Sequence, residues 1–196
     1  MLSVMAGKCI GLDAEWEKIL NSAGYQTGSS KVNTIQVAFR DRNNTVNVGI
    51  FRTKNFTYLP NRLKALLLDS NIAIAGNMVS ADLKKIGRDF NIDEIKSVEQ
   101  KDRPNVFNLG MAAKLRGVLT KATVGLQYLC KVLLKIHLDK DLQTSGFTGD
   151  LTEDQIKYVA IDAAVSLECY EKLKEMPDIF RHLEIADLQV DKKVSY

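Results

Sequence analysis

Up to about residue 51 the apolar residues recur with the spacing of strands; from residue 60 onward they recur with the spacing of helices, broken by one short apolar run. Residues 8–16 hold the run Cys9-Ile10-Gly11-Leu12, which reads as a buried strand. Residues 34–39 and 46–51 read as two more, and the turn-rich tetrad Asp41-Arg42-Asn43-Asn44 between them makes the pair a hairpin. The small, polar residues 24–30 read as loop. Pro60 opens a helix through Leu68, in the early helical position that proline favours. Ile72-Ala73-Ile74-Ala75-Gly76 is a short buried strand, and residues 80–90 a helix with Ser80 as its N-cap. Val98 is placed in a last strand, and helices are expected over 108–119, 124–136 and 152–174. Strands first, then strand–helix alternation, predict an α/β domain built on a mixed sheet.

A chain of 196 residues has room for one such domain and is too short for two ordinary ones. Its content of 45% hydrophobic and 26% charged residues excludes a disordered chain. A net charge of +3 suits a polyanionic partner without requiring one. Cys9, Cys130 and Cys169 are odd in number, far apart and form no Cys-x-x-Cys pair, which points to a reduced, intracellular protein without structural zinc. The apolar stretches are much shorter than a membrane span, and no charged-then-apolar leader is followed by a cleavage site.

Three acidic motifs carry the chemistry. Gly11-Leu12-Asp13-Ala14-Glu15-Trp16 ends the first strand, and strand alternation turns Asp13 and Glu15 to one face. Adjacent carboxylates repel, and their pKa rises unless a cation lies between them. The tripeptide alone is most often a chance surface pair, but a buried strand has no structural reason to end in two unpaired charges. In Tyr158-Val159-Ala160-Ile161-Asp162 the outer residues are four apart and share a helix face. The apolar stripe of that helix is expected at Ile156, Ala160, Ala163, Leu167 and Tyr170, and its polar side at Lys157, Glu168, Glu171 and Lys172. Tyr158 and Asp162 fall on neither, but on a third face with Val165 and Cys169 that another part of the protein covers. Thr152-Glu153-Asp154-Gln155 fits a capping box at its start. A core tyrosine with a satisfied hydroxyl is the ordinary alternative for Tyr158. Asp82, in Gly76-Asn77-Met78-Val79-Ser80-Ala81-Asp82, falls in the first turn of a helix, where favouring the helix dipole is a common role.

In order and spacing, Asp13-x-Glu15, Asp82 and Tyr158-x-x-x-Asp162 resemble the DEDDy group of the DnaQ-like 3′-5′ exonucleases, in particular the Werner-helicase and ribonuclease D types. The Trp after Glu15, the helix Asp82-Leu83-Lys84-Lys85-Ile86-Gly87-Arg88-Asp89-Phe90 and the Leu151-Thr152-Glu153-Asp154-Gln155 lead-in are similar as well, as is the Leu-rich helix through Leu126, Leu129, Leu133 and Leu134. The resemblance covers about residues 8–174. Departures are Asn77-Met78 where many members carry His-Asn, Asn108 where Asp is common, and Phe147 where the Werner type often has Trp; none removes a carboxylate.

The resemblance implies a ribonuclease-H-like fold, one α/β unit whose five-stranded mixed sheet, three strands antiparallel and two parallel, is flanked by helices. It implies two divalent ions, Mg²⁺ or Mn²⁺: Asp13 bridging them, Glu15 and Asp162 completing one shell, Asp82 holding the other through water. It further implies that Tyr158, with Glu15, orients the attacking water, and that nucleoside 5′-monophosphates leave the 3′ end of DNA or RNA. The residue types agree, since hard ions prefer oxygen ligands and two of them ~3.5–4 Å apart stabilise both oxygens of an in-line displacement. Lys84, Lys85, Arg88 and Trp16 are candidate nucleic-acid contacts, with a solvated helix face and a core position as their ordinary alternatives. A larger parent protein or a partner helicase is compatible with the sequence. The rival function is a non-catalytic module binding nucleic acid or protein on the same fold, which gives no reason to gather four carboxylates and Tyr158.

Overall fold

The computed structural model describes residues 9–96, 103–139 and 149–177. Along the chain come β1 (Cys9–Glu15), β2 (Lys18–Leu20), β3 (Gln26–Ser29), β4 (Thr34–Arg40), β5 (Val46–Arg52), α1 (Asn61–Leu68), β6 (Ala73–Gly76), α2 (Val79–Asp89), α3 (Asp93–Lys96), β7 (Val106–Asn108), α4 (Leu109–Leu115), α5 (Leu126–Leu129) with a π-helical turn (Cys130–Leu134), and α6 (Glu153–Lys174). Five strands form one mixed sheet in the order β5-β4-β1-β6-β7. β1 is central, antiparallel to β4 and parallel to β6; β4 and β5 form the expected antiparallel hairpin, and β6 and β7 run parallel.

Alternation along β1 sets the two layers. Ile10, Leu12 and Ala14 enter one apolar cluster with Ile35, Val37 and Ile74 of the sheet and with Leu63, Leu67, Leu83 and Ile86 of α1 and α2. The opposite face presents small residues, Ala38 and Ala75, to the layer of α4, α5 and α6. Small residues let a helix lie close, and Gly11 marks the limit: a Cβ there would fall 2.1 Å from Ala163 O and 2.8 Å from Leu167 N. The backbone of α6 therefore rests directly on the central strand. An Arg40–Glu171 pair, with Nη2 2.8 Å from Oε2, ties the same helix to β4.

Several local expectations are corrected. The predicted loop at 24–30 contains β3, which pairs antiparallel with β2. Every residue of β2 is exposed, so no apolar alternation betrays the pairing. Ser80 is not the N-cap of α2; Met78 holds that position, in the left-handed region at φ 61°. The early N–H of Ser80 is met instead by Asn108 Oδ1 at 3.1 Å, while Asn108 Nδ2 donates to Ser80 Oγ at 2.9 Å. A capping group 28 residues away in sequence is invisible to a local motif. The helix expected over 108–119 spans only Leu109–Leu115, because Asn108 ends β7, and the one expected over 124–136 begins at Leu126 and finishes in the π turn. Val98 and Phe147 lie outside the described residues.

On α6 the predicted capping box is present: Gln155 N donates to Thr152 Oγ1 at 3.2 Å, and Thr152 N to Gln155 Oε1 at 3.0 Å. Of the predicted apolar stripe, Ala163, Leu167 and Tyr170 are buried and Ala160 is half-buried. Ile156 departs from it at 43% exposed, and Gln155, Tyr158, Val159, Asp162 and Ser166 are buried as well. The face of Tyr158 and Asp162 is thus covered as expected, by the sheet itself.

Candidate active site

β1 delivers Asp13 and Glu15 on its α6-facing side, at the carboxyl end of the strand. The close seat of α6 at Gly11 places Asp162, the neighbour of Ala163, over the same strand. Carboxylate oxygens of Asp13, Glu15 and Asp162 all lie within 4.8 Å of one another. β6 runs parallel to β1 and ends at the same edge, so α2, which follows it, brings Asp82 in from the side. Asp82 is 7% exposed and Asp162 4%. Asp82 Oδ2 is buried and accepts no hydrogen bond.

Burial first, then the charges of Asp13 and Glu15, hold the Asp82 carboxyl well above the usual carboxylate range. The dipole of α2 would lower it, so desolvation and like-charge repulsion outweigh the helix terminus here. A carboxyl raised above its unfolded pKa of ~3.9 binds more protons in the folded state than in the unfolded one. Its contribution to stability is complete below the unfolded value and is lost as pH rises through the folded one. Asp82→Asn, which imitates the neutral acid, is therefore expected to raise the thermal midpoint of the metal-free protein at pH 7 and to change it little at pH 4. Calorimetry at the two pH values checks this; equal midpoints for both proteins at pH 7 would rule out the repulsion.

Tyr158 lies one turn before Asp162 and its hydroxyl is hydrogen-bonded to that carboxylate. Burial, with Asp162, Glu15 and Asp13 around it, raises the phenol pKa above its ordinary value of ~10. It stays protonated throughout the neutral range. Ile50 and Leu151 pack against Tyr158 and Val159 and fix the ring from the β5 side.

Two further residues belong to this floor. Asp13 pairs with Gln36 across to β4, and Glu15 with Thr34, so all four side chains share one face. Gln36 Nε2 donates to Thr34 Oγ1 at 2.7 Å, both residues are fully buried, and Gln36 Oε1 has no hydrogen-bond partner. Their signal in the sequence is polar residues at alternate positions of an otherwise apolar strand, Thr34-Ile35-Gln36-Val37-Ala38.

The candidate nucleic-acid contacts are not gathered with the carboxylates. Trp16 turns to the other side of β1 and packs against the larger apolar cluster, with Lys85 Nζ 5.9 Å from its ring centroid. Lys85 also donates to Ser30 O at 2.7 Å and pairs with Asp89, which accepts from Val32 N. Those bonds anchor α2 to the segment after β3. Lys84 is half-buried, and Arg88 is exposed with its Nε 3.3 Å from Lys84 O. Cys130 and Cys169, far apart in sequence, are neighbours in the core, and neither is in a disulfide.

A family model described as 3′-5′ exonuclease matches residues 1–178. The chain belongs to this family. The mouse bifunctional 3′-5′ exonuclease/ATP-dependent helicase WRN is 32% identical over 176 residues, which are 88% of this chain and 11% of that protein. Among solved structures, the exonuclease domain of Nibbler from Aedes aegypti superimposes with a TM-score of 0.69 at 17% identity, over 89% of this chain and 81% of that one. Ribonuclease D from Escherichia coli gives 0.64 at 20% identity, over 88% of this chain and 40% of that one. These likenesses support the ribonuclease-H-like fold that the strand order describes. The chain spans between 11% and 54% of the curated relatives it matches. Exonucleases of this family are generally dependent on divalent metal, and the carboxylate cluster supplies suitable ligand atoms. Among the described residues no helix is long and apolar enough to cross a membrane.

Proposed function

We propose that this chain is a divalent-metal-dependent 3′→5′ exonuclease that hydrolyses phosphodiester bonds of DNA or RNA and releases nucleoside 5′-monophosphates. The observation that carries the reading is the carboxylate set: three within 4.8 Å, and a fourth, Asp82, buried beside them with an oxygen that accepts no hydrogen bond. Gathering such charges costs free energy unless a cation compensates them. An all-oxygen donor set fits hard ions such as Mg²⁺ or Mn²⁺. Asp13, Glu15 and Asp162 would hold one ion and Asp82, with Asp13 shared, a second. Two bound ions supply neutralisation of the phosphate charge and lower the pKa of water.

The chain's own residues do the rest. Tyr158, kept protonated by its surroundings, acts as a hydrogen-bond donor that orients the attacking water and not as a base. Its bond to Asp162 holds the phenol in place before substrate arrives. Glu15, on the same side of β1, accepts a hydrogen bond from that water. The backbone contact of α6 on Gly11 keeps both groups in register.

The test uses Mn²⁺ and 5′-labelled single-stranded and duplex DNA and RNA. Products that shorten by one nucleotide at a time from the 3′ end, and that vanish with excess EDTA, are expected. Undiminished hydrolysis in EDTA would sink the metal requirement, and internal cuts the polarity.

A further inference from the structure

On the α6 side of the sheet, Thr34, Gln36 and Ala38 of β4 stand abreast of Glu15, Asp13 and Gly11 of β1. The same rows continue into Arg52, Ile50 and Val48 of β5. Along the row of Gly11, Ala38 and Val48 pack with Ala163 and Leu167 of α6. Of the buried residues of β4, only Thr34 and Gln36 are polar, and these are the two that stand beside carboxylates. Gln36 is fully buried between two neighbouring strands, a place that an apolar side chain would fill at lower cost. Its Nε2 donates to Thr34 Oγ1 at 2.7 Å, but Oε1 accepts no hydrogen bond from the described residues. A glutamine kept for the fold would have both ends of its amide met. A buried amide met at one end only, in the row of a catalytic-site carboxylate, has a role in the site. The terminal amide carries two N–H groups, and Thr34 takes one. Side chains directly opposite on antiparallel strands have Cβ atoms ~4.5–5.5 Å apart, which puts the Asp13 carboxylate within reach of the other.

We propose that Gln36 is a positioning residue of the cation site: its second N–H holds the Asp13 carboxylate in the orientation the ion requires, and Thr34 locks the amide in place. The proposal rests on the exonuclease reading above and adds a residue that supplies no ligand atom. Gln36 acts through Asp13. Carboxylates that hold a metal are themselves held by hydrogen bonds, and loss of such a partner typically weakens metal binding by ~10–100-fold. Pinning Nε2 on Thr34 also leaves Oε1 as an acceptor for a water that enters with the ion. The cost of the half-met amide is thus borne before the ion arrives and relieved when it binds.

Calorimetric titration of Mn²⁺ into the metal-free protein reads the assignment directly, with melting curves in EDTA beside it. Gln36→Leu nearly keeps the volume and removes the amide. It is expected to raise the Mn²⁺ Kd about tenfold or more, while melting within about 3 °C of the wild type without metal. The Mn²⁺ concentration that gives half-maximal cleavage of a 5′-labelled oligonucleotide should rise by the same factor. Thr34→Val keeps the shape and removes only the hydroxyl, and should raise Kd in the same direction. Thr34→Ser keeps a hydroxyl and should hold Kd near the wild-type value. Gln36→Leu/Thr34→Val should bind Mn²⁺ no more weakly than Gln36→Leu, because the hydroxyl acts only through the amide. A glutamine that served packing alone would lower the metal-free midpoint and leave Kd within about twofold, and that result overturns the proposal. Should Gln36→Leu fail to fold, equal Kd values for Thr34→Val and Thr34→Ser overturn it. A wild type that binds no Mn²⁺ overturns the metal-dependent reading and Gln36 with it. Wild-type binding with an unchanged Kd in the variants removes the role of Gln36 alone and leaves the exonuclease reading standing.

Discussion

Asp13→Ala is expected to reduce exonucleolytic turnover by on the order of 10³-fold and to remove most of the thermal stabilisation that Mn²⁺ gives the wild type. Asp13 comes from the central strand of the sheet, lies within 4.8 Å of Glu15 and Asp162 and also repels Asp82. Glu15 shares both relations, but the charge of Asp13 acts on Asp82 more strongly. Loss of a single electrostatic group in an active site typically costs ~10²–10³-fold, and a shared ligand stands at the upper end. The thermal response follows by mass action. An ion that binds only the folded wild type at a hundredfold excess over Kd adds about 2.7 kcal/mol, a rise on the order of 5–10 °C for a chain of this size. Without metal the sign reverses: the variant relieves the repulsion that raises the Asp82 pKa, and is expected to melt at or above the wild type. Melting curves of both proteins with and without Mn²⁺ decide the matter. A variant that keeps the full Mn²⁺ shift shows that Asp13 holds no metal.

Tyr158→Phe is expected to slow turnover about 10²-fold while leaving fold and metal response nearly intact. Phenylalanine keeps the ring and its packing on Ile50 and Leu151 and removes only the hydroxyl. Since the phenol pKa is raised above its ordinary value, no loss of a base is involved; what disappears is a donor that fixes the water. A well-placed polar group in such a site accounts for ~10²-fold in rate. If the hydroxyl served only the fold, its bond to Asp162 would account for about 1 kcal/mol of stability and turnover would stay near normal. Single-turnover cleavage and thermal midpoint at saturating Mn²⁺ separate the two. Turnover within about twofold of wild type, only ~0.4 kcal/mol, would end the catalytic assignment.

Much of the candidate site is legible in the sequence because it is written in the two simplest periods. Strand alternation aims Asp13 and Glu15 together, and a spacing of four aligns Tyr158 with Asp162. The capping box at Thr152 is equally local. What escapes is whatever depends on a distant partner. Ser80 looks like a cap, but its backbone is satisfied by Asn108 from another element. At the start of α6 the outward Ile156 and the buried Gln155 depart from the expected stripe, where Gln155 closes the capping box with Thr152. The β2–β3 hairpin has little apolar contrast to reveal it. The crowding at Gly11 is a property of two backbones meeting and has no signature in either segment alone.

That crowding bears on the order in which the protein is made. Asp13, Glu15 and Asp82 leave the ribosome within the first half of the chain, while Asp162 and Tyr158 arrive on α6, the last described element. Until α6 settles against Gly11, the emerging polypeptide holds its early carboxylates without Asp162 or the phenol. A growing chain beside messenger RNA is thus expected to lack a complete set of groups for cutting phosphodiesters. On the proposed reading, docking of α6 is the step that completes the site.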